Sequence, residues 1–251
     1  MPPLILVVGA SGLLGRHLAG LGLPALDRAA CDVCSPADRE RALRRWRPDA
    51  VIYGAAWASV DGCEHEPGAR EVNVEAPLAW ARAVPLWYPS TNYVFSGPGP
   101  HAPGDPALPL MAYGVQKREA EQGVLAAGGS VVRTGWVFGR GGRNFLSRLP
   151  ALLRAGPVQA WSEVPIQPTW AGDLARYLAA LPPGLSHAVG SEETTFAGAA
   201  RTVAAALGLG ERVREQPGPS GLLAERPQDA RLAPAVLPGW SRRWRELIAG
   251  P

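Results

Sequence analysis

The chain is 251 residues long, 47% hydrophobic and 19% charged, with a formal net charge of +3 and a pI of about 9.0. That is enough apolar material for one large domain, or one domain with a small companion. No apolar run reaches the ~18 residues of a membrane span, and the basic side chains are dispersed among acids instead of forming a stripe interleaved with aromatics, which disfavours both a membrane protein and a nucleic-acid binder.

Three cysteines are too few for a disulfide framework. Cys31-x-x-Cys34 with Cys63 and His65 lacks the paired spacing of a zinc site, so no metal is expected. The 30 glycines and 26 prolines are spread along the chain and read as turns. The first residues enter an apolar strand without a basic leader or cleavage site, making a cytoplasmic location the expectation.

Residues 4–8 are a continuous apolar run, as a strand buried on both faces requires. Gly9-Ala10-Ser11-Gly12-Leu13-Leu14-Gly15 follows and opens a helix. Strand, glycine turn and helix in this order suit a dinucleotide: Gly9 permits the tight turn, Gly12 lets backbone approach a pyrophosphate, and Gly15 lets the helix pack on the sheet. A short second strand ends at Asp27, 18 residues beyond Gly9 and near the ~20 expected of a carboxylate on the adenine ribose. That spacing leans towards NAD, whereas the adjacent Arg28 could receive a 2′-phosphate, so NAD and NADP both stay open.

Ser35-Pro36 caps a helix expected to run to about Arg47, where Pro48 stops it. A third strand over 49–53 ends in Gly54-Ala55-Ala56, small enough for a cofactor to lie across. A loop follows, then one helix from Pro67 to about Arg82 that carries Asn73 on the side facing the cleft. The next strand is expected over 86–88, with Ser90-Thr91-Asn92-Tyr93-Val94-Phe95 at its carboxyl end. Ligands sit at strand carboxyl ends in doubly wound sheets, which makes Thr91 a candidate hydrogen-bond partner for a substrate oxygen.

The helix after the Pro/Gly loop of residues 97–110 holds Tyr113-Gly114-Val115-Gln116-Lys117. Lys117 is the only lysine in the chain. Arginine serves everywhere else, so a position that demands lysine points to a compact ammonium whose pKa can move. Tyr113 and Lys117 share a helix face at i, i+4. A cation there is expected to lower the phenol's pKa and make Tyr113 a general acid/base.

Further strands are expected over 131–134, 158–161 and 185–189. Helices are expected over 144–155, 195–207 and 241–248, together with one capped by Thr169 that bears Trp170, Leu174, Tyr177, Leu178 and Leu181. Alternating strand and helix through residue 138 predicts an α/β fold: a doubly wound parallel, Rossmann-like sheet with a small C-terminal lobe over the strand ends.

As an ordered set these motifs, with Arg47-Pro48-Asp49-Ala50-Val51-Ile52, Ala55-Ala56-Trp57-Ala58-Ser59-Val60-Asp61, Glu66-Pro67, Val72-Asn73, Val132-Arg133-Thr134-Gly135-Trp136-Val137, Asn144-Phe145, Pro168-Thr169 and Arg226-Pro227, resemble the extended short-chain dehydrogenase/reductase superfamily. More narrowly, the chain resembles the dTDP-4-dehydrorhamnose reductase family. The resemblance implies NAD or NADP, reduced as hydride donor, and a nucleotide-linked 4-keto-6-deoxyhexose. It implies that Tyr113 protonates the keto oxygen, Lys117 holds the nicotinamide ribose and Thr91 bonds the reacting oxygen. Gly12, Leu13, Leu14, Asp27, Asp32, Val33, Ala56 and Trp57 would line the cofactor beside Gly9, Gly15 and Ala55. Asn92, Trp136 and Arg226 would meet the substrate.

The implied division is a dinucleotide-binding domain over 1–138 with 167–190, and a small substrate-binding lobe over 139–166 with 191–251. A homodimer stays open. The chain departs from the family in carrying Asn92 where Asp is usual, and Glu163-Val164 where Asp-Gln precedes Pro-Thr. The alternatives are a dinucleotide-binding regulatory subunit without turnover and a related sugar-nucleotide epimerase. A 4,6-dehydratase would need two carboxylates where Asn92 and Tyr93 stand.

Overall fold

The computed structural model describes residues 2–249. β1 (Ile5–Val8) is buried at every position, which is why its apolar run has no polar alternation. Beyond the glycine turn come α1 (Leu13–Ala19) and β2 (Ala25–Leu26). α2 (Pro36–Trp46) begins at Ser35, whose hydroxyl accepts from the Asp38 N–H at 3.2 Å, and ends at Arg47 in the left-handed region. β3 (Ala50–Tyr53) follows.

Next is a helical run in three parts: α3 (Pro67–Arg70), a π turn (Glu71–Glu75) and α4 (Ala76–Ala81). The single regular helix expected there is thus interrupted, and Pro77 supplies the reason. It has no N–H for the carbonyl four residues back. That carbonyl, Asn73, accepts the Tyr88 phenol at 2.9 Å, and the neighbouring Val72 carbonyl accepts the Tyr53 phenol at 3.0 Å.

The chain continues through β4 (Leu86–Thr91), α5 (Ala112–Ala126), β5 (Ser130–Thr134), β6 (Val137–Phe138), α6 (Phe145–Ala155) and β7 (Val158–Trp161). Then come β8 (Pro165–Ile166), β9 (Thr169–Trp170), α7 (Ala171–Ala179), β10 (Leu185–His187), β11 (Thr194–Thr195), α8 (Phe196–Ala206) and β12 (Val213–Gln216).

Six strands form one parallel sheet in the order β10-β5-β4-β3-β1-β2. The expected doubly wound α/β architecture is the one the chain adopts. Strand order reverses at β1, which pairs with β2 on one side and β3 on the other, and this opens a crevice at their carboxyl ends. One sheet face packs Leu6, Val8, Tyr53 and Tyr88 against Ala42, Trp80 and Val124 of α2, α4 and α5. The opposite face packs Val7, Ile52 and Val132 against Leu18 of α1 and Leu174 and Leu178 of α7. A further core gathers α6, α8 and β7 around Phe138 and Phe196, closed by Trp240 and Trp244. There β12 pairs parallel to β7.

Three local expectations are corrected. β4 extends through Pro89 to Thr91 instead of stopping at Tyr88: β3 registers only with Leu86 and Trp87, so beyond them only β5 is a neighbour and one missing N–H is tolerated. Thr169 does not cap α7. It lies in β9, its hydroxyl donating to the Gln167 carbonyl at 3.2 Å and accepting from the Gly190 N–H at 3.3 Å; Trp170 and Leu181 fall outside the helix. The helix expected over 241–248 is two 3₁₀ turns, Trp240–Arg242 and Trp244–Leu247. Side-chain bonds there override helical propensity, Ser241 going to Glu192 and Arg243 to Asp173.

β10 ends in His187, 2% exposed, whose Nδ1–H donates to the Ala233 carbonyl at 3.0 Å while Nε2 has no partner. Burial, then the Arg133 guanidinium, push the imidazole down to about 4. The unfolded chain takes a proton below its ordinary value of 6.5 and the folded chain refuses it until about 4, so stability falls as pH drops through that window. The gap is worth about 3 kcal/mol. His187→Asn keeps a donor for Ala233 and should flatten urea-unfolding stability between these pH values by about that amount. Parallel wild-type and variant curves would count against the assignment.

Candidate active site

The crevice is built from the glycine turn outward. Gly9 has φ 87, and a Cβ there would land on the backbone of Ala55; one at Gly15 would land on the Gly9 carbonyl. Both glycines let β1, α1 and the end of β3 approach closely. Gly12 differs: a Cβ would reach only the carbonyls of Gly9 and Gly54, at 3.4 and 3.8 Å, and would project into the open space between them.

That space is a cavity of about 470 Å³ lined by Gly9, Gly12, Leu13, Asp32, Val33, Ala55, Ala56 and Trp57, and also by Arg28 and Cys34. Leu14 lines a neighbouring cavity, and Gly15 lies beneath the turn. Asp27 is not among the lining residues. Its Oδ1 accepts from the Ala30 N–H at 2.9 Å, closing a turn that leaves Arg28 facing the cavity.

Asn73, 1% exposed, holds the Trp57 segment. Its Oδ1 accepts from the Trp57 N–H at 2.9 Å; its Nδ2 donates to the Trp57 carbonyl at 3.1 Å and to Gln116 of α5 at 2.9 Å. Asn73 therefore reaches the cavity through Trp57. Cys31, Cys34 and Cys63 are free thiols. Burial pushes Cys34 and Cys63 up to about 11, which keeps both protonated near neutrality.

The adjoining cavity, about 340 Å³, holds Thr91, Asn92, Tyr113, Lys117 and Trp136 together with Val60, Tyr93, Thr134 and Asn144. Thr91 ends β4 opposite Thr134. Tyr113 stands in the first turn of α5 and lines the same cavity as Thr91. Two contacts fix this helix start. Glu64 Oε1 accepts from the Ala112 N–H at 2.9 Å, and a Cβ at Gly114 would land on the Tyr93 carbonyl, so only glycine permits the approach.

Lys117 is 3% exposed. Its Nζ donates to the Pro89 carbonyl at 2.8 Å and lies 3.8 Å from the centre of the Tyr88 ring. The expectation that Lys117 lowers the Tyr113 pKa is corrected. Burial, then the neighbouring Cys63, push the phenol up to about 12, and the opposing influence comes from the nearby Thr91 hydroxyl. Burial pushes the Lys117 ammonium down to about 7, with Glu121 one turn along α5 opposing. Tyr113 therefore keeps its proton at neutral pH and can give it to an oxygen that becomes more basic.

Asn92 is buried, its Nδ2 donating to the Ala230 carbonyl at 2.9 Å and its Oδ1 lying 3.4 Å from the Thr91 hydroxyl. A carboxylate here would face the Ala230 carbonyl without a proton to share. Trp136 has a left-handed backbone, φ 49, and its indole meets Tyr93 edge-on at 5.6 Å and Phe196 at 4.6 Å. Arg226 is not in this cavity. It lines a third one, about 680 Å³, formed by Glu163, Val164 and residues 217–228.

Sequence reasoning missed Tyr93 as a lining residue of this cavity, and Glu64 and Asp61 as residues that hold backbone outside it. Tyr93 and Asp61 lay within quoted motifs, but their partners are far away in the chain.

Residues 3–246 match the RmlD substrate binding domain family. The chain is 36% identical to a dTDP-4-dehydrorhamnose reductase of Streptomyces griseus, covering 97% of this chain and 87% of that protein. It is 33% identical to a dTDP-4-keto-6-deoxy-D-glucose reductase of Streptomyces niveus, covering 98% and 91%. Among solved structures, the Bacillus anthracis dTDP-4-dehydrorhamnose reductase in complex with NADP superposes with a TM-score of 0.89 over 99% of both chains at 22% identity, a likeness of fold.

Among the described residues, no helix is long and apolar enough to cross a membrane.

Proposed function

The chain belongs to the RmlD substrate binding domain family, and on that premise we propose that it is an NAD(P)H-dependent reductase of a nucleotide-linked 4-keto-6-deoxy sugar. The observation that carries this reading is that Tyr113, Thr91 and Lys117 line one cavity at the sheet's carboxyl edge, with Lys117 one helical turn beyond Tyr113, beside the glycine-turn cavity. The relatives' own substrates, dTDP-4-keto-6-deoxy sugars in their names, supply the substrate class.

A nicotinamide dinucleotide fits the glycine turn, where Gly12 leaves room for a pyrophosphate that any side chain would fill. When bound, it supplies a hydride to the carbonyl carbon. Tyr113 gives its proton to the carbonyl oxygen, and Thr91 holds that oxygen in line with the phenol. Lys117 offers an ammonium to the nicotinamide ribose. Asn92 and Trp136 form the wall for the sugar. In this reading residues 1–138 with 167–190 carry the cofactor and 139–166 with 191–251 carry the substrate; residues 1, 250 and 251 lie outside the described ones.

Dehydration is disfavoured because, among the described residues, no Asp or Glu lines the Tyr113 cavity. Loss of NAD(P)H absorbance on adding a dTDP-4-keto-6-deoxy sugar tests the proposal. Tight cofactor binding without consumption would favour a non-catalytic subunit, and sugar isomerisation without net consumption an epimerase.

Arg28 faces the cofactor cavity while the Asp27 carboxylate closes a turn, so the preferred cofactor is NADP. A charge-assisted bond to a 2′-phosphate is worth about 1.5–3 kcal/mol. Arg28→Ala should therefore raise KM for NADPH about 10- to 100-fold and leave KM for NADH nearly unchanged. Equal changes for both cofactors would remove Arg28 from this role.

A further inference from the structure

One short loop, residues 57–66, lines two of the cavities and is bonded to the wall of the third. Trp57 and Ala58 line the cofactor cavity and Val60 the Tyr113 cavity. Glu64 holds the first N–H of α5. Between them, Asp61 reaches across to a segment more than 160 residues away. Its Oδ1 accepts from the Ala224 N–H at 2.9 Å and from Arg226 Nη2 at 3.1 Å. Arg226 Nη1 returns to the Ala224 carbonyl at 2.6 Å. Arg226 is nearly buried, its side chain 10% exposed.

The segment so held, residues 217–230, has no helix or strand and walls the 680 Å³ cavity. Gly221 carries φ 68, and Leu223, two residues on, is 67% exposed. Without the bonds from Asp61, this strap is tied to the sheet by the Asn92 amide at Ala230, and to β7's end through the Gln216 and Pro217 carbonyls.

We propose that Asp61 is a positioning residue that couples the cofactor loop to the substrate strap, so that dinucleotide and nucleotide sugar bind with positive cooperativity. Three observations carry it. The loop is shared between cavities. Its one carboxylate aimed at the strap is bonded to both backbone and guanidinium. The strap has no regular structure of its own to set its position. A cofactor seated against Trp57 and Ala58 fixes the loop, and the loop fixes Arg226 in the wall of the 680 Å³ cavity formed by the strap. Ordering paid once by the first ligand is not required again by the second, and the coupling is reciprocal. The inference rests on the reductase reading for the identity of the two ligands.

The test measures calorimetric Kd for thymidine diphosphate with the intact protein, with and without saturating NADP+. Wild type should bind it at least fivefold more tightly with NADP+ present, the low end of ordinary coupling at ~5–150-fold. In Asp61→Asn, which keeps an acceptor for Ala224 but loses the charge facing Arg226, that ratio should fall to within twofold of one. Affinity for NADP+ alone should stay within twofold of wild type.

A ratio of one in wild type, or an unchanged ratio in the variant, would overturn the coupling. The wild-type ratio decides the matter even where the variant folds poorly. Absence of any thymidine diphosphate binding would overturn the reductase reading, and the coupling with it.

Discussion

Tyr113→Phe is expected to lower kcat for the keto sugar by about 10²- to 10⁴-fold, the usual range for losing a positioned general acid. Affinity for the dinucleotide should change little. Burial pushes the phenol up to about 12, so at neutral pH it is fully protonated and ready to donate. Phe keeps the ring, its edge-on contact with Tyr93 at 6.5 Å and the start of α5, so stability should stay within about 1 kcal/mol. Steady-state kinetics with thermal unfolding on the same preparation separates the two effects. A loss confined to KM would show that Tyr113 binds the substrate without protonating it.

Lys117→Arg carries the second large effect. The ammonium fits between the Pro89 carbonyl and the Tyr88 ring in a space with 3% exposure. A planar guanidinium is larger and does not lose its proton, so it must displace these neighbours or leave them. Turnover should fall at least 100-fold, with about 1–3 kcal/mol of stability lost to overpacking. Lys117→Met fills a similar volume without charge and should be equally inactive while remaining folded.

The pH dependence distinguishes the pair from wild type. The folded ammonium titrates near 7 and the unfolded one near 10.5, so between these values the unfolded chain holds the extra proton and wild-type stability rises with pH. Lys117→Met should lack that rise. Undiminished turnover in Lys117→Arg would contradict the role given to the lysine.

Features written within a few residues were legible in the sequence. The four buried positions of β1, the Gly9/Gly12/Gly15 spacing, the Ser35 cap and the helix face shared by Tyr113 and Lys117 each follow from local periodicity or from one backbone conformation. The alternation of these elements then left little choice of fold.

What stayed hidden depended on distant partners. Pro89 reads as a strand breaker, and only the absence of a second neighbouring strand beyond Trp87 makes it harmless. Asp27 sits at the spacing of a ribose ligand, yet a local turn occupies its carboxylate. The i, i+4 spacing brings Lys117 to the correct face but does not reveal the Pro89 carbonyl that claims its ammonium. Asp61 and Arg226 are separated by 165 positions, and nothing in either neighbourhood announces the pair. Parallel pairing of β12 with β7, across 50 or more residues of intervening chain, is equally non-local.

The claim at the centre is that hydride moves to a sugar carbonyl while Tyr113 supplies the proton. It is tested most directly with NADPH carrying deuterium at the transferable position and a dTDP-4-keto-6-deoxy sugar, the product being examined by mass spectrometry and NMR. The account predicts one deuterium per turnover at the carbon that bore the carbonyl, with NADPH consumed in equal amount and both signals lost in Tyr113→Phe. Product without deuterium, or deuterium transfer undiminished in Tyr113→Phe, would contradict it.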